Sequence, residues 1–110
     1  MEVENTIQEG KTIAIISYIT LIGTVIAYVM NQNKKNSFAA FHIKQALGLV
    51  LLAFALNLLS TVMDISLFYK IVAPVVFVLW LLGLIYAIQG KEKAIPLLGE
   101  QFQIWFKNLG

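Results

Sequence analysis

The only histidine of the chain lies in a short polar and aromatic segment, and it is the residue whose type is best suited to chemistry. Gln45 follows His42 by three positions, so on a helix the two side chains lie on one face about a turn apart. An imidazole placed there could titrate near neutral pH and gate or bind something. Alternatively, His42 and Gln45 could satisfy backbone groups of a loop or a neighbouring helix at the edge of a membrane. The residue types favour this second interpretation, a structural polar anchor.

The rest of the sequence offers His42 no partner for catalysis. Catalysis normally needs a nucleophile with a base, a pair of carboxylates or a metal cluster, and no carboxylate lies within a helical turn of the histidine. A lone histidine is also a poor metal site unless several copies meet on a symmetry axis. The chain has no cysteine, and its glycines are scattered singly, so no phosphate-binding loop is evident. We therefore expect no enzyme activity, no metal and no cofactor.

The composition indicates a membrane protein. Hydrophobic residues make up 59% of the 110 residues and charged residues only 13%, against about 45–50% and 25% in soluble domains. A length of 110 residues suits one domain, so residues 1–110 are expected to form a single membrane domain. All eight basic residues are lysines, and they do not cluster into a basic arm, so nucleic-acid binding is not expected.

Three apolar runs are long enough to cross a bilayer, because about 20 helical residues span the hydrocarbon layer. They cover residues 12–30, 43–63 and 71–89. Residues 96–109 show a shorter amphipathic pattern. It predicts a helix that lies in the membrane interface or docks against a partner or a second copy. The fold class expected is an all-α integral membrane protein with three transmembrane helices and a C-terminal amphipathic interfacial helix.

Small and polar residues follow one face of each predicted span, which favours helix packing in lipid. Several large or basic residues suit the membrane interface instead, where lysine stems snorkel and aromatic rings sit at headgroup depth. The packing and polar-face candidates are His42, Gln45, Asn57, Ser60, Thr20, Thr24, Gly83 and Ala87, and the interface candidates are Lys44, Phe102, Trp105 and Phe106.

The lysines predict an orientation. Six of them lie in or beside the first loop or after the third span, whereas Lys11 and Lys70 are assigned to the opposite side. The positive-inside rule then places the first loop and the C-terminus in the cytoplasm. Three crossings would leave the N-terminus outside.

Phe41-His42-Ile43-Lys44-Gln45-Ala46 resembles the "FHxxQA" signature of a family of small bacterial membrane proteins. That family is similar to the Tic-type import component of the chloroplast inner envelope. The layout is similar too: a span, a lysine-bearing loop, the signature, two more spans, Gly90, Pro96 and a short terminal helix. The resemblance implies a multi-pass protein of the bacterial inner membrane with a role in protein transport.

Two classes of function remain open. The first is an accessory or structural subunit of a membrane assembly, such as protein translocation or insertion machinery, with the lipid bilayer and other membrane subunits of a translocon as partners. The second is a homo-oligomeric channel or small-solute transporter, in which several copies line a pore with His42, Asn57 and Ser60. Ion pathways usually carry an intramembrane charge, and the polar faces carry none. The accessory subunit is therefore favoured.

Overall fold

The computed structural model describes residues 2–109, and it describes side chains from residue 5 onward. This part of the chain contains helices and short connections, without a strand. The helices in chain order are α1 (Glu2–Ser17), α2 (Leu21–Lys34), α3 (Ser37–Val62), α4 (Ser66–Ile88) and α5 (Gly99–Trp105).

Helices α3 and α4 form an antiparallel hairpin joined by a turn at residues 63–65. With 26 and 23 residues, both are long and apolar enough to cross a membrane, which suggests a membrane protein. They correspond to the predicted spans 43–63 and 71–89, but each begins five or six residues earlier. The Asn36 side chain caps α3 by accepting a hydrogen bond from the Ala39 amide. Because α4 begins at Ser66, Pro74 lies within this helix rather than in its first turn.

The predicted single helix over residues 12–30 is wrong. Helix α1 ends at Ser17 and α2 begins at Leu21, so residues 18–20 break the run. The two helices pack against each other and against α3. Residues 2–109 therefore contain two helices of crossing length, preceded by the shorter pair α1 and α2, where the sequence predicts three spans.

Hydroxyl groups cap both sides of this break. The Thr24 hydroxyl donates to the carbonyl of Ser17 at 2.7 Å, and the Thr20 hydroxyl accepts from the Gly23 amide at 3.1 Å. The indole of Trp80, on α4, donates to the carbonyl of Tyr18. Thr20 and Thr24, predicted to belong to a helix-packing face, therefore satisfy backbone groups that a break would otherwise leave unpaired.

The first half of α1 lies at the same end of the helix bundle as the α2–α3 connection. The Asn36 side chain donates to the carbonyl of Thr6 at 2.8 Å. Gly90, which follows α4, lies beside Ile7 and Lys11. Because α5 packs on the first half of α3, the two ends of the chain lie at one end of the molecule. The sequence predicts that the two ends lie on opposite sides of a membrane, whereas in the structure they lie at the same end of the helix bundle.

The structure also shows at which end of the molecule Lys11 and Lys70 lie. Lys11 lies beside Gly90, next to the end of α4, whereas Lys70 lies in the first turns of α4 at the far end. Seven of the eight lysines are therefore gathered at the end that holds both chain ends, and one is at the other. The asymmetry is stronger than the six against two that the sequence predicts.

Helices α1 and α2 reach only part of the way along α3. Twelve residues separate Thr6 from Tyr18, which is about 18 Å of helix, whereas the 26 residues of α3 extend about 39 Å. The second half of α3 and the first half of α4 therefore stand clear of the other helices, with apolar side chains on their surface. The exposed large residues of these halves are Leu51, Phe54, Leu58, Leu59, Val62, Leu67, Phe68, Ile71, Val75, Phe77 and Val78.

The C-terminal helix is shorter than predicted and docks on its own chain. It covers seven residues, Gly99–Trp105, instead of residues 96–109. Phe102, assigned to the membrane interface from the sequence, is 4% exposed and packs on Gly48 of α3. Trp105 is 62% exposed, which leaves it available to an interface, and Phe106 is half-buried against the core.

Candidate functional site

His42, Gln45 and Tyr18 form a buried polar cluster between α1 and the first half of α3. Their side chains are at most 1% exposed. The Tyr18 hydroxyl lies 2.7 Å from Nδ1 of His42, and Nε2 of Gln45 donates to the same hydroxyl at 2.9 Å. The structure thus brings the two predicted residues together and adds a tyrosine that the sequence analysis did not single out.

The cluster also binds the backbone of the segment that follows α4. Nε2 of His42 lies 2.9 Å from the carbonyl of Lys91. Oε1 of Gln45 accepts from the amide of Ile95 at 2.7 Å, and its Nε2 donates to the carbonyl of Lys93 at 3.4 Å. Every group that His42 and Gln45 bind outside the cluster is therefore a main-chain group of residues 91–95.

These contacts determine the protonation of the ring. A carbonyl can only accept, so Nε2 of His42 carries the proton that reaches Lys91. Nδ1 of a neutral ring then accepts from the Tyr18 hydroxyl, which in turn accepts from Gln45. A second proton on the ring would leave the hydroxyl hydrogen of Tyr18 without its acceptor. The bonding pattern therefore fits a neutral imidazole.

Residues 91–95 need these partners because they form no helix or strand of their own. Gly90 ends α4 with φ at +74°, a left-handed conformation that glycine adopts without steric cost. The chain then runs beside α3, where the buried amide of Ile95 must be paired and the carbonyls of Lys91 and Lys93 are partly buried. His42 and Gln45 supply that pairing, which is the geometry that the structural interpretation of these residues requires.

Aromatic rings and close helix contacts enclose the cluster. The ring centroids of Phe38 and Phe41 lie 4.8 and 5.3 Å from that of His42, both edge to face. Gly83 of α4 faces the tyrosine: a Cβ atom there would lie 2.7 Å from the Tyr18 ring. Ala87, one turn later, is fully buried. Gly83 thus lies against the Tyr18 ring, and Ala87 lies in the buried core.

Asn57 and Ser60 lie apart from this cluster. They are on the second half of α3, where Asn57 is 15 residues or about 22 Å of helix beyond His42. The Asn57 amide donates to the carbonyl of Ala53 at 2.8 Å and accepts from the Tyr69 hydroxyl of α4 at 3.3 Å. The Ser60 hydroxyl donates to the carbonyl of Asn57. Both side chains are exposed.

An open groove of about 280 Å³ separates α3 from α4 beside Asn57 and Tyr69. Its walls are otherwise apolar and include the small residues Ala53, from α3, and Ala73, from α4. We call this feature the α3–α4 groove. Its complete lining is Leu49, Val50, Ala53, Leu56, Asn57, Tyr69, Ala73, Val76, Phe77 and Trp80.

Within the described residues, no group of three histidine, cysteine or carboxylate side chains could hold a metal ion. In the same residues, every buried side-chain nitrogen and oxygen has a hydrogen-bond partner. Comparison with protein-family models, with curated proteins and with solved structures finds no match for this chain.

Tyr18 and the main chain of residues 91–95 are the parts of the cluster that sequence reasoning missed. One signal was present: Gly90 and Pro96 flank a short segment that is too polar for the preceding helix. If such a segment packs in the molecule, its amides and carbonyls need polar side chains on a neighbouring helix. His42 and Gln45 are the polar pair available near the matching end of α3.

Proposed function

We propose that this chain is an accessory or structural subunit of an assembly in the bacterial inner membrane. In this proposal α3 and α4 cross the bilayer, while α1 and α2 enter it from the cytoplasmic side and return. The observation that carries the proposal is the contrast between the buried polar cluster and the apolar surface of the molecule. The His42 cluster is fully used in holding the chain together, whereas the surface left open to neighbours is apolar and includes the α3–α4 groove.

The α3–α4 groove suits a transmembrane helix of another subunit. Ala53 and Ala73 leave room for a close approach of backbones, which is how helices associate in lipid. Asn57, which is exposed, and its partner Tyr69 lie at the far end of the groove, and polar side chains within a bilayer usually pair across helices. A partner helix would cover this pair and the apolar groove walls together.

Protein translocation or insertion machinery is the assembly we favour. The resemblance of Phe41–Ala46 to the import-component-like signature points to this class. A physical argument supports it: α2 has 14 residues, about 21 Å of helix, against about 30 Å of hydrocarbon. Lipid next to a short apolar element thins to match it. A thinner layer lowers the cost of moving a polar segment across the membrane.

Filling the groove tests the proposal. We expect Ala53→Leu combined with Ala73→Leu to abolish co-purification of unlike membrane subunits in mild detergent. The matched control is Ala55→Leu, an exposed residue of α3 that does not line the groove, and this variant should retain the subunits. Quantitative mass spectrometry of the purified wild type and variants gives the subunit ratios.

A different result would favour the alternative function, a homo-oligomeric channel or small-solute transporter. Native mass measurement giving a single homo-oligomer, without unlike subunits at fixed ratio, would contradict the accessory role. His42 is 0% exposed and its ring nitrogens are both bonded within the chain. A pore lined by His42 would therefore require the cluster to open.

Both chain ends are expected in the cytoplasm. Seven of the eight lysines lie at their end of the molecule, and lysine-rich ends remain on the cytoplasmic side. Because the chain has no cysteine, single reporters can be introduced at the exposed positions Gln8, Asp64 and Asn108. In intact spheroplasts, a membrane-impermeant maleimide should label Asp64→Cys but should label Gln8→Cys and Asn108→Cys only after lysis. Labelling of Gln8→Cys before lysis would contradict this topology.

A further inference from the structure

We propose that a cationic pocket between α2 and α3 binds the phosphate of an anionic glycerophospholipid. The pocket has a volume of about 220 Å³ and lies at the lysine-rich end of the molecule. We call it the headgroup pocket. Its polar lining is formed by Tyr28, Asn31, Gln32, Lys35 and Lys44.

The charge of the headgroup pocket suits an anion. Lys35 follows α2 and Lys44 lies on α3, and both line the same cavity although they belong to different elements. None of the lining residues is acidic. Glu92 interacts electrostatically with Lys44: its carboxyl pKa is raised by burial, and Lys44 opposes that shift. A phosphate in the pocket would contact two ammonium groups without a facing carboxylate in the lining.

The pocket wall is fixed before any ligand arrives. Lys35 has a left-handed backbone with φ at +48°, and its amide donates to the carbonyl of Asn31 at 2.7 Å. The Asn31 side chain is buried and binds Asn36 twice, accepting from its amide at 2.9 Å and donating to its carbonyl at 3.1 Å. Binding to a preorganised site loses less free energy to ordering.

The surface leading to the pocket points to a lipid rather than to a soluble phosphate. The outward face of α2 is apolar and exposed from the α1–α2 turn up to the pocket, so acyl chains of a lipid seated there would lie along it. This inference rests on the membrane placement proposed above. The exposed residues of that face are Leu21, Ile22, Val25, Ile26, Val29 and Met30.

Lipid titration of the detergent-purified full chain tests the inference, with bound lipids counted by native mass spectrometry. We expect one dioleoylphosphatidylglycerol to bind more tightly than dioleoylphosphatidylcholine. A lysine near a lipid headgroup contributes about 1 kcal/mol, so Lys35→Gln or Lys44→Gln should each weaken binding about fivefold and the double variant about 30-fold. Far-UV circular dichroism and gel filtration verify that the variants fold.

The matched control combines Lys34→Gln with Lys107→Gln, which removes the same charge from exposed positions that do not line the pocket. If this control weakens phosphatidylglycerol binding as much as the double pocket variant does, the inference is overturned, because net charge alone would then explain binding. Equal binding of phosphatidylcholine would overturn it as well. Equal binding of sn-glycerol 3-phosphate would overturn the assignment to a lipid and identify a soluble phosphate ester instead.

These outcomes are separable from failure of the membrane placement. Extraction of cell membranes with alkaline carbonate reports that placement directly. A chain that stays in the membrane pellet but binds no phosphatidylglycerol contradicts the lipid site alone. A chain released into the supernatant contradicts the proposed function and the lipid site together.

Discussion

Replacing Gln45 with leucine should detach the segment after α4 and lower the free energy of unfolding by about 2–6 kcal/mol. The substitution keeps the volume of the side chain but removes its three hydrogen bonds. The Ile95 amide and an acceptor site of the Tyr18 hydroxyl then stay buried without a partner, and each such group costs about 1–3 kcal/mol. His42→Gln should have a smaller effect, because an amide can replace one of the two ring contacts.

Thermal unfolding in detergent measures this stability, and limited trypsin digestion measures how far the segment after α4 has detached. Cleavage after Lys91 or Lys93 should become faster in Gln45→Leu than in the wild type. Gln101→Leu is the matched control, because Gln101 is exposed on α5. The structural interpretation of the cluster is wrong if His42→Ala and His42→Gln leave the stability of the chain and its assembly with other subunits unchanged while both abolish the activity of that assembly.

Replacing Gly48 with leucine should expel α5 from its position on α3. The Phe102 ring covers the glycine so closely that an added Cβ atom would overlap it. Overpacking a filled core typically costs 1–3 kcal/mol, and loss of the buried Phe102 surface costs about 1.5–3 kcal/mol. The helix has seven residues, too few to remain helical alone in water. We therefore expect a loss of about 3 kcal/mol and an unfolded C-terminal segment.

A double-mutant cycle tests the contact. Phe102→Ala alone should destabilise the chain, and combining it with Gly48→Leu should cost less than the sum of the two, because the new side chain occupies the space of the ring. Ala55→Leu adds side-chain volume at an exposed position of the same helix and should have little effect. Additive losses in the cycle would show that Gly48 and Phe102 do not pack together.

The sequence predicts the α3–α4 hairpin well because the length of the apolar runs alone is enough to identify both helices. Runs of about 20 apolar residues leave few alternatives to a crossing helix, and α3 and α4 occupy the expected runs with shifted starts. The break between Ser17 and Leu21 could not be predicted from the apolar run, which continues through it. The break contains neither glycine nor proline, and one of its caps comes from Trp80, 62 residues away. The prediction of a continuous helix over residues 12–30 was wrong because this break was missed.

The candidate site shows the same limit. The types and spacing of His42 and Gln45 predict a polar anchor, but the backbone groups they bind lie 48–50 residues further along the chain. Phe102 was assigned to lipid because helical periodicity identifies an apolar face without identifying what covers it. Gly48, which receives that ring, carries no signal of its own in the sequence.

The cap that Trp80 provides to Tyr18 has a consequence for biogenesis. Residues 2–34 leave the ribosome first, yet the carbonyl of Tyr18 obtains its donor only after Trp80 has been synthesised. An uncapped bend would be costly among acyl chains. If α1 and α2 enter the bilayer as proposed, we expect this pair to wait at the membrane surface and to take its final position after the α3–α4 hairpin, so that the order of insertion reverses the order of translation.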